Sequence, residues 1–337
     1  MKNQLDIALL DASKKAFPTR FYNDYFVNEF GRLEALISAR YGRFFSVLLI
    51  YLDDFTELDK QLGRQRMVDL LKRVIKAVIE VVRNCDVVGM VQNRGLIVIL
   101  PETDYIGSLI TVRKLRKAID ALNLHDEASL SVAFSQASFP RDADNYGELV
   151  TIAEKRLNDY RGGVYGKIDL EAKLFWENVT TLLNEDFESS QVERFDIGEN
   201  LELPDSFRGV VAGLVMEEVG RTPQKKGILY LSPGKFSQDM TAKRAVETLG
   251  ETNTKVFILG GKGMEELAST HVIPINLTDS RFQDTFFLFL LRDDIAYAFI
   301  AREAWGGIAS CVHMTEPFII TCLIEKLQRD YSLQEQL

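Results

Sequence analysis

The sequence predicts a mixed α+β protein in two parts: a helix-and-strand unit over residues 1–165 and a second α/β unit over 166–337. Three observations carry that expectation. Apolar residues switch repeatedly between the 3.6-residue period of a helix face and the dense runs of buried strands. Three glycines in five residues, Gly162-Gly163-Val164-Tyr165-Gly166, end a helical pattern and permit a turn. Charge is also unevenly divided. Within a net charge of -9, residues 1–165 carry 23 Lys+Arg against 22 Asp+Glu, and residues 166–337 carry 17 against 27. A length of 337 residues fits two domains at about 150 residues each.

In the first unit, Tyr22–Arg40 reads as a helix, with Phe26, Phe30, Leu33 and Ile37 at helical spacing. Tyr41-Gly42-Arg43 breaks it. Phe44–Leu52 is a dense apolar run of the kind found in a central strand, closed by Asp53-Asp54. Met67–Val82 is an amphipathic helix whose stripe is Leu70, Leu71, Val74, Ile75 and Val78. Asp86–Val91 and Gly95–Leu100 read as a hairpin around Gln92-Asn93-Arg94, stopped by Pro101. Tyr105–Leu122 is a helix with the basic cluster Arg113, Lys114, Arg116 and Lys117. Ala128–Ser138 alternates as a strand, and Tyr146–Arg161 is the closing helix.

In the second unit a helix is expected from about Leu170 to Leu183, then a polar, acidic stretch to Pro204. A helix over Phe207–Val219, a strand over Gly227–Leu231 and a helix over Gln238–Leu249 follow. Strands come next at Lys255–Leu259 and His271–Leu277. Phe286–Leu291 and Ile295–Arg302 form a hairpin about Arg292-Asp293-Asp294, and Glu316–Arg329 is an amphipathic C-terminal helix. The two halves share no internal repeat.

Composition excludes several functions. With 46% apolar and 26% charged residues the chain is an ordinary globular one. Its longest apolar runs fall short of the ~18 residues that span a bilayer, and Met1–Asp6 lacks the apolar stretch of a signal peptide. Three scattered cysteines make neither a disulfide framework nor a zinc cluster, so a reducing cytoplasm is expected. The acidic second half is a poor partner for DNA or RNA, because phosphate binding needs positive charge.

One constellation carries functional information. Tyr51-Leu52-Asp53-Asp54-Phe55-Thr56 ends a strand, and a helix then leads to Arg83-Asn84-Cys85-Asp86. Five residues later comes Gln92-Asn93-Arg94-Gly95-Leu96, then a strand ending in Pro101, and later Ala153-Glu154-Lys155-Arg156-Leu157. This order and spacing resemble the GGDEF family, the diguanylate cyclase domains that make cyclic di-GMP. The resemblance covers most of residues 11–163. It implies a nucleotide-cyclase-like fold with a ferredoxin-like core.

The same resemblance implies that catalysis is lost. The family's metal-binding carboxylates fall on Tyr51 and Arg94, so two hard oxygen ligands are missing and one is replaced by a cation that repels Mg²⁺. The hairpin glycines that admit the substrate phosphates fall on Gln92 and Asn93, with Gly95 and Leu96 completing the former active-site turn. The base-reading positions fall on Asp59 and Val68. Phosphoryl transfer depends on metal and positioning, so no cyclase activity is expected, and neither a metal nor a resident cofactor.

What survives is Arg83-x-x-Asp86, which in the family is the inhibitory site for cyclic di-GMP. Arg offers a planar fork to phosphate or to the guanine O6/N7 edge, and Asp accepts from guanine N–H groups. The family's additional basic residue falls on Lys114, with Arg113 beside it. Cyclic di-GMP is therefore the expected regulatory ligand, bridging this turn to a basic helix or to a second protomer of a homodimer. The alternative is that Arg83 and Asp86 only cap a helix and pair with each other, leaving a nucleotide-independent adaptor. An enzyme with altered nucleotide chemistry is a further rival.

Residues 166–337 resemble the DICT family of sensory domains, through Lys255–Gly261, the Phe286–Glu303 hairpin and the C-terminal helix. That implies a sensory or protein-interaction role toward a signalling partner, and the negative charge favours a basic one. Arg302-Glu303 is read as the solvated end of the sheet. Other patterns carry nothing. Glu34-Ala35-Leu36 sits inside an amphipathic helix. Gly260-Gly261-Lys262-Gly263 lacks the Ser or Thr of a phosphate loop. His125, His271 and His313 are isolated, and Asp53 and Asp54 point to opposite faces of a strand end.

Overall fold

The structure is a computed structural model that describes residues 20–52, 63–91, 95–123, 132–162, 173–184, 201–204, 207–234, 249–260, 271–303 and 307–333. Its contacts divide the chain into two compact units, Met1–Arg161 and Gly162–Gln336.

The first unit is an α+β layer structure. Its elements are β1 (Phe21–Tyr22), α1 (Asp24–Tyr41), β2 (Phe45–Leu52), α2 (Arg64–Val81), β3 (Val87–Val91) and β4 (Gly95–Pro101), then α3 (Tyr105–Asp120), β5 (Val132–Phe139) and α4 (Tyr146–Gly162). The sheet order is β1-β3-β4-β2-β5. β2 lies between β4 and β5, antiparallel to both, and the apolar run that forms it is buried along nearly its whole length. The stripe expected on α2 packs, with Leu115 and Ile119 of α3, on one sheet face against Leu48, Ile50, Val98 and Phe134. The other face carries α1 and α4, with Val47, Leu49, Ile99, Tyr146, Leu149 and Ala153.

α1 corrects the sequence reading of its faces. The buried residues are Val27, Gly31, Ala35 and Ser38, whereas Phe26, Leu33 and Ile37 are exposed and Phe30 is half-buried. The reason is steric. A Cβ on Gly31 would stand 2.2 Å from the Tyr146 ring, so this helix approaches α4 and the sheet through its small residues. The large apolar side chains are left outside.

The second unit is built on a seven-stranded mixed sheet, order β6-β12-β11-β10-β7-β8-β9. In chain order it comprises α5 (Phe175–Asn184), β6 (Leu201–Pro204), α6 (Phe207–Arg221), β7 (Gly227–Ser232), β8 (Thr254–Gly260) and β9 (Val272–Asn276), then α7 (Arg281–Asp284), β10 (Thr285–Arg292), β11 (Ala296–Glu303), β12 (Ile308–Met314) and α8 (Pro317–Asp330). β7, β8 and β9 are parallel, and β10 and β11 form the expected hairpin. α6 packs on one face through Val211, Ala212, Val215, Met216 and Val219. Phe175 and Trp176 of α5 stack edge-on against Phe287, Phe289 and Phe282.

Arg292 fixes the hairpin. It is completely buried, forks onto Asp294 at 3.0 and 2.9 Å, and donates to Thr222 Oγ1 (2.7 Å) and Glu218 O (3.3 Å) at the end of α6. The sequence reading missed β1, β6 and β12. Expectations on Asp53-Asp54, Gln92-Asn93-Arg94, His125, the Gly163–Gly166 part of the boundary, most of Asn184–Pro204, residues 238–248 and Gly261–Gly263 lie outside the described residues.

Candidate functional site: the turn between α2 and β3

α2 ends in an extended C-cap at Val82, and four residues later the chain enters β3. Arg83-Asn84-Cys85-Asp86 makes this turn. Its backbone closes through the Asp86 N–H donating to Arg83 O at 3.1 Å. The Asp86 carboxylate closes it a second time: Oδ2 accepts the Arg83 N–H at 2.6 Å, and Oδ1 lies 3.7 Å from the Cys85 thiol. Asp86 is only 4% exposed. Burial pushes its carboxyl above the ordinary aspartate value, while the Arg83 N–H, the Arg83 guanidinium, the Cys85 thiol and Arg20 pull it back.

Arg83 is the opposite case. Its side chain is exposed, and among the described residues its guanidinium forms no ion pair. In place of the side-chain pair of the alternative reading, the Asp86 carboxylate accepts from the Arg83 backbone N–H. That bond orders the turn and leaves the guanidinium facing solvent.

A second arginine joins them. Arg20 donates from Nη2 to Arg83 O and adds positive charge beside Asp86. The sequence reading missed it because it lies far upstream. The signal is topological: β1 pairs parallel with β3, setting Phe21 opposite Val88 and Tyr22 opposite Gly89.

Arg113 and Lys114 lie on α3, Arg113 half-buried and Lys114 exposed. β2 and β3 both pair antiparallel with β4, so they run in one direction and α2 runs back between them. α3 joins β4 to β5, which both run against β2, so α3 is antiparallel to α2. Arg73 of α2 donates to Leu122 O, just past α3, at 2.9 Å. Lys114 precedes Leu122 by as many residues as Val81 follows Arg73. At a rise of about 1.5 Å per residue, Arg113 and Lys114 come level with the end of α2 that releases Arg83.

The other sequence-selected positions lie at the far end of β3, roughly 17 Å away at ~3.3 Å per residue. Tyr51 is half-buried near the end of β2, opposite Gly95 on one side and Ala133 on the other. A Cβ on Gly95 would meet Ile50 O at 2.4 Å, so glycine is required for this strand contact. Leu96 is a core residue, 3% exposed. Gln92, Asn93 and Arg94 lie outside the described residues. Among the described residues no cluster of His, Cys, Asp or Glu could hold a metal, and no helix is long and apolar enough to cross a membrane.

The sheet order, the helix pairs on its two faces and an arginine-bearing turn before a β-hairpin define a nucleotide-cyclase-like α+β domain. Residues 18–162 match the family described as "Diguanylate cyclase, GGDEF domain". The chain is 27% identical over 143 residues to the diguanylate cyclase DosC of Escherichia coli K12, covering 41% of this chain and 31% of that protein. It therefore spans about a third of that relative's length. Similar solved structures include the GGDEF domain of YfiN from Pseudomonas aeruginosa, 18% identical with a TM-score of 0.38, covering 43% of this chain and 91% of that one. The GGDEF domain of DgcB from Caulobacter crescentus, solved in complex with c-di-GMP, is 11% identical with a TM-score of 0.36, covering 42% and 83%.

Proposed function

We propose that the protein is a non-catalytic signalling receptor whose GGDEF domain binds cyclic di-GMP at the Arg83–Asp86 turn. The observation that carries this reading is the Arg83 guanidinium: exposed, without an ion-pair partner among the described residues, on a turn whose backbone Asp86 and Arg20 already hold. Anchoring the backbone spares the turn an ordering cost on binding, and the planar guanidinium fork matches a phosphate or a guanine edge. Arg113 and Lys114 supply further positive charge from α3. Asp86 orders the turn through Oδ2 and keeps Oδ1, engaged only by a weak thiol donor, to accept from guanine.

The former catalytic edge takes no part. With Tyr51 and Arg94 at the metal positions and Gln92 and Asn93 in place of the hairpin glycines, the domain neither holds Mg²⁺ nor admits GTP phosphates. Residues 166–337 act as a DICT-like interaction domain whose negative charge suits a basic signalling protein. Ligand at the turn shifts which partner-competent state is populated, in a cytoplasmic setting.

Two measurements test this. Calorimetric titration of the full chain with cyclic di-GMP should give saturable heat, and its absence would leave the nucleotide-independent adaptor reading. Incubation with GTP and Mg²⁺ should yield no cyclic di-GMP by chromatography, and product formation would restore the enzyme reading.

A further inference from the structure

Of the fourteen large apolar residues exposed among the described residues, seven fall between Tyr25 and Phe44, on and just after α1. Six of them lie on α1 itself: Tyr25, Phe26, Leu33, Leu36, Ile37 and Tyr41. A single helix with that much exposed apolar surface is unusual for a protein that stays alone in solution. At 3.6 residues per turn Tyr25, Phe26, Leu33 and Leu36 lie on the side of α1 opposite its buried Val27, Gly31, Ala35 and Ser38, and Ile37 and Tyr41 lie at the flank.

The line through the middle of this face reads Glu29, Leu33, Leu36, Arg40. Its spacings are four, three and four residues, so the line is the same read from either end. When two copies of α1 run antiparallel about the midpoint between Leu33 and Leu36, each Leu33 faces the partner's Leu36 and each Glu29 faces the partner's Arg40. A parallel pairing would set Glu29 against Glu29 and Arg40 against Arg40, which charge repulsion opposes. Within one copy these charges are weakly engaged. Glu29 meets only its exposed helix neighbour Arg32, at 3.2 Å. Arg40 rests over the Tyr41 ring, its guanidinium carbon 5.5 Å from the ring centre, and pairs with no carboxylate among the described residues.

We propose that α1 is a homodimerisation surface, in which two copies of this chain pair antiparallel through Leu33 and Leu36 with reciprocal Glu29–Arg40 ion pairs. Such a contact is isologous, closes on itself and needs no partner of different chemistry.

Sedimentation velocity of the full chain over a concentration series tests it, with the thermal unfolding midpoint of each variant as the control for folding. The parent should pass from monomer to dimer. Leu33→Asp should abolish the dimer. Glu29→Arg and Arg40→Glu should each weaken it about tenfold, and the double variant Glu29→Arg/Arg40→Glu should restore it, because reversal of both charges re-forms both pairs. A parent that stays monomeric throughout overturns the proposal. So does a dimer that Leu33→Asp leaves intact, or single reversals that the double variant does not rescue.

Discussion

Asp86 and Arg83 occupy one turn and are set to different tasks by exposure alone. The buried carboxylate commits an oxygen to a backbone N–H, and the exposed guanidinium is left facing solvent. A comparable residue-scale arrangement in the second unit has a measurable pH signature. Asp279 accepts a fork from Arg281, with contacts from 2.6 to 3.1 Å, and also receives the Tyr331 hydroxyl. The Arg281 fork holds the Asp279 carboxyl well below the usual carboxylate range, against the opposing effect of burial and with help from Tyr331. A carboxyl depressed in the folded state contributes stability above its unfolded value, about 3.9, and loses it as pH falls below that value. Asp279→Asn should therefore cost about 1–2 kcal/mol near neutral pH, the exposed Arg281 side being screened by solvent. The gap to the parent should close as pH drops below about 4. Urea unfolding at several pH values reads this directly, and a constant gap would mean that the carboxyl's charge is not what matters.

At the scale of elements, the helices and strands of the first unit were legible wherever period and burial agree. The α2 stripe and the β2 run are such cases, since both face a core on the side their pattern indicates. α1 was legible as a helix but not in its orientation. Periodicity marks which apolar residues share a face and does not say which face meets the core. Here close packing selects the small residues, a choice that depends on Tyr146 from a distant helix. β1, with two residues, and β6, with four, are too short to show a period, and β1 is extended because β3 pairs with it. The site was partly legible in the same way. Arg83 and Asp86 could be picked from the family resemblance, whereas Arg20 becomes part of the turn only once the β1–β3 pairing is known. Gly31→Ala tests the α1 geometry. Helix propensity alone favours alanine by about 1 kcal/mol, yet the contact with Tyr146 should reverse the sign and leave the variant about 1–2 kcal/mol less stable. Combining it with Tyr146→Ala should remove the penalty. An alanine that stabilises the parent background would show that the helix stands farther from α4.

Across the whole molecule, a near-neutral unit that matches the GGDEF family is joined to an acidic sheet-rich unit. The proposed receptor function uses the end of β3 away from Tyr51 and Gly95, so substitutions at that far end leave the Arg83 turn intact. The account therefore turns on one residue whose removal does not disturb the fold: the Arg83 side chain is exposed, and Asp86 binds its backbone rather than its guanidinium. The most direct measurement is a calorimetric titration of cyclic di-GMP into the parent and Arg83→Ala, with the unligated unfolding midpoint of each recorded alongside. The account predicts matching midpoints and an affinity lower by roughly ten- to a hundredfold in the variant, as expected for a charge-assisted contact worth about 1.5–3 kcal/mol. Equal affinities for parent and variant would contradict it.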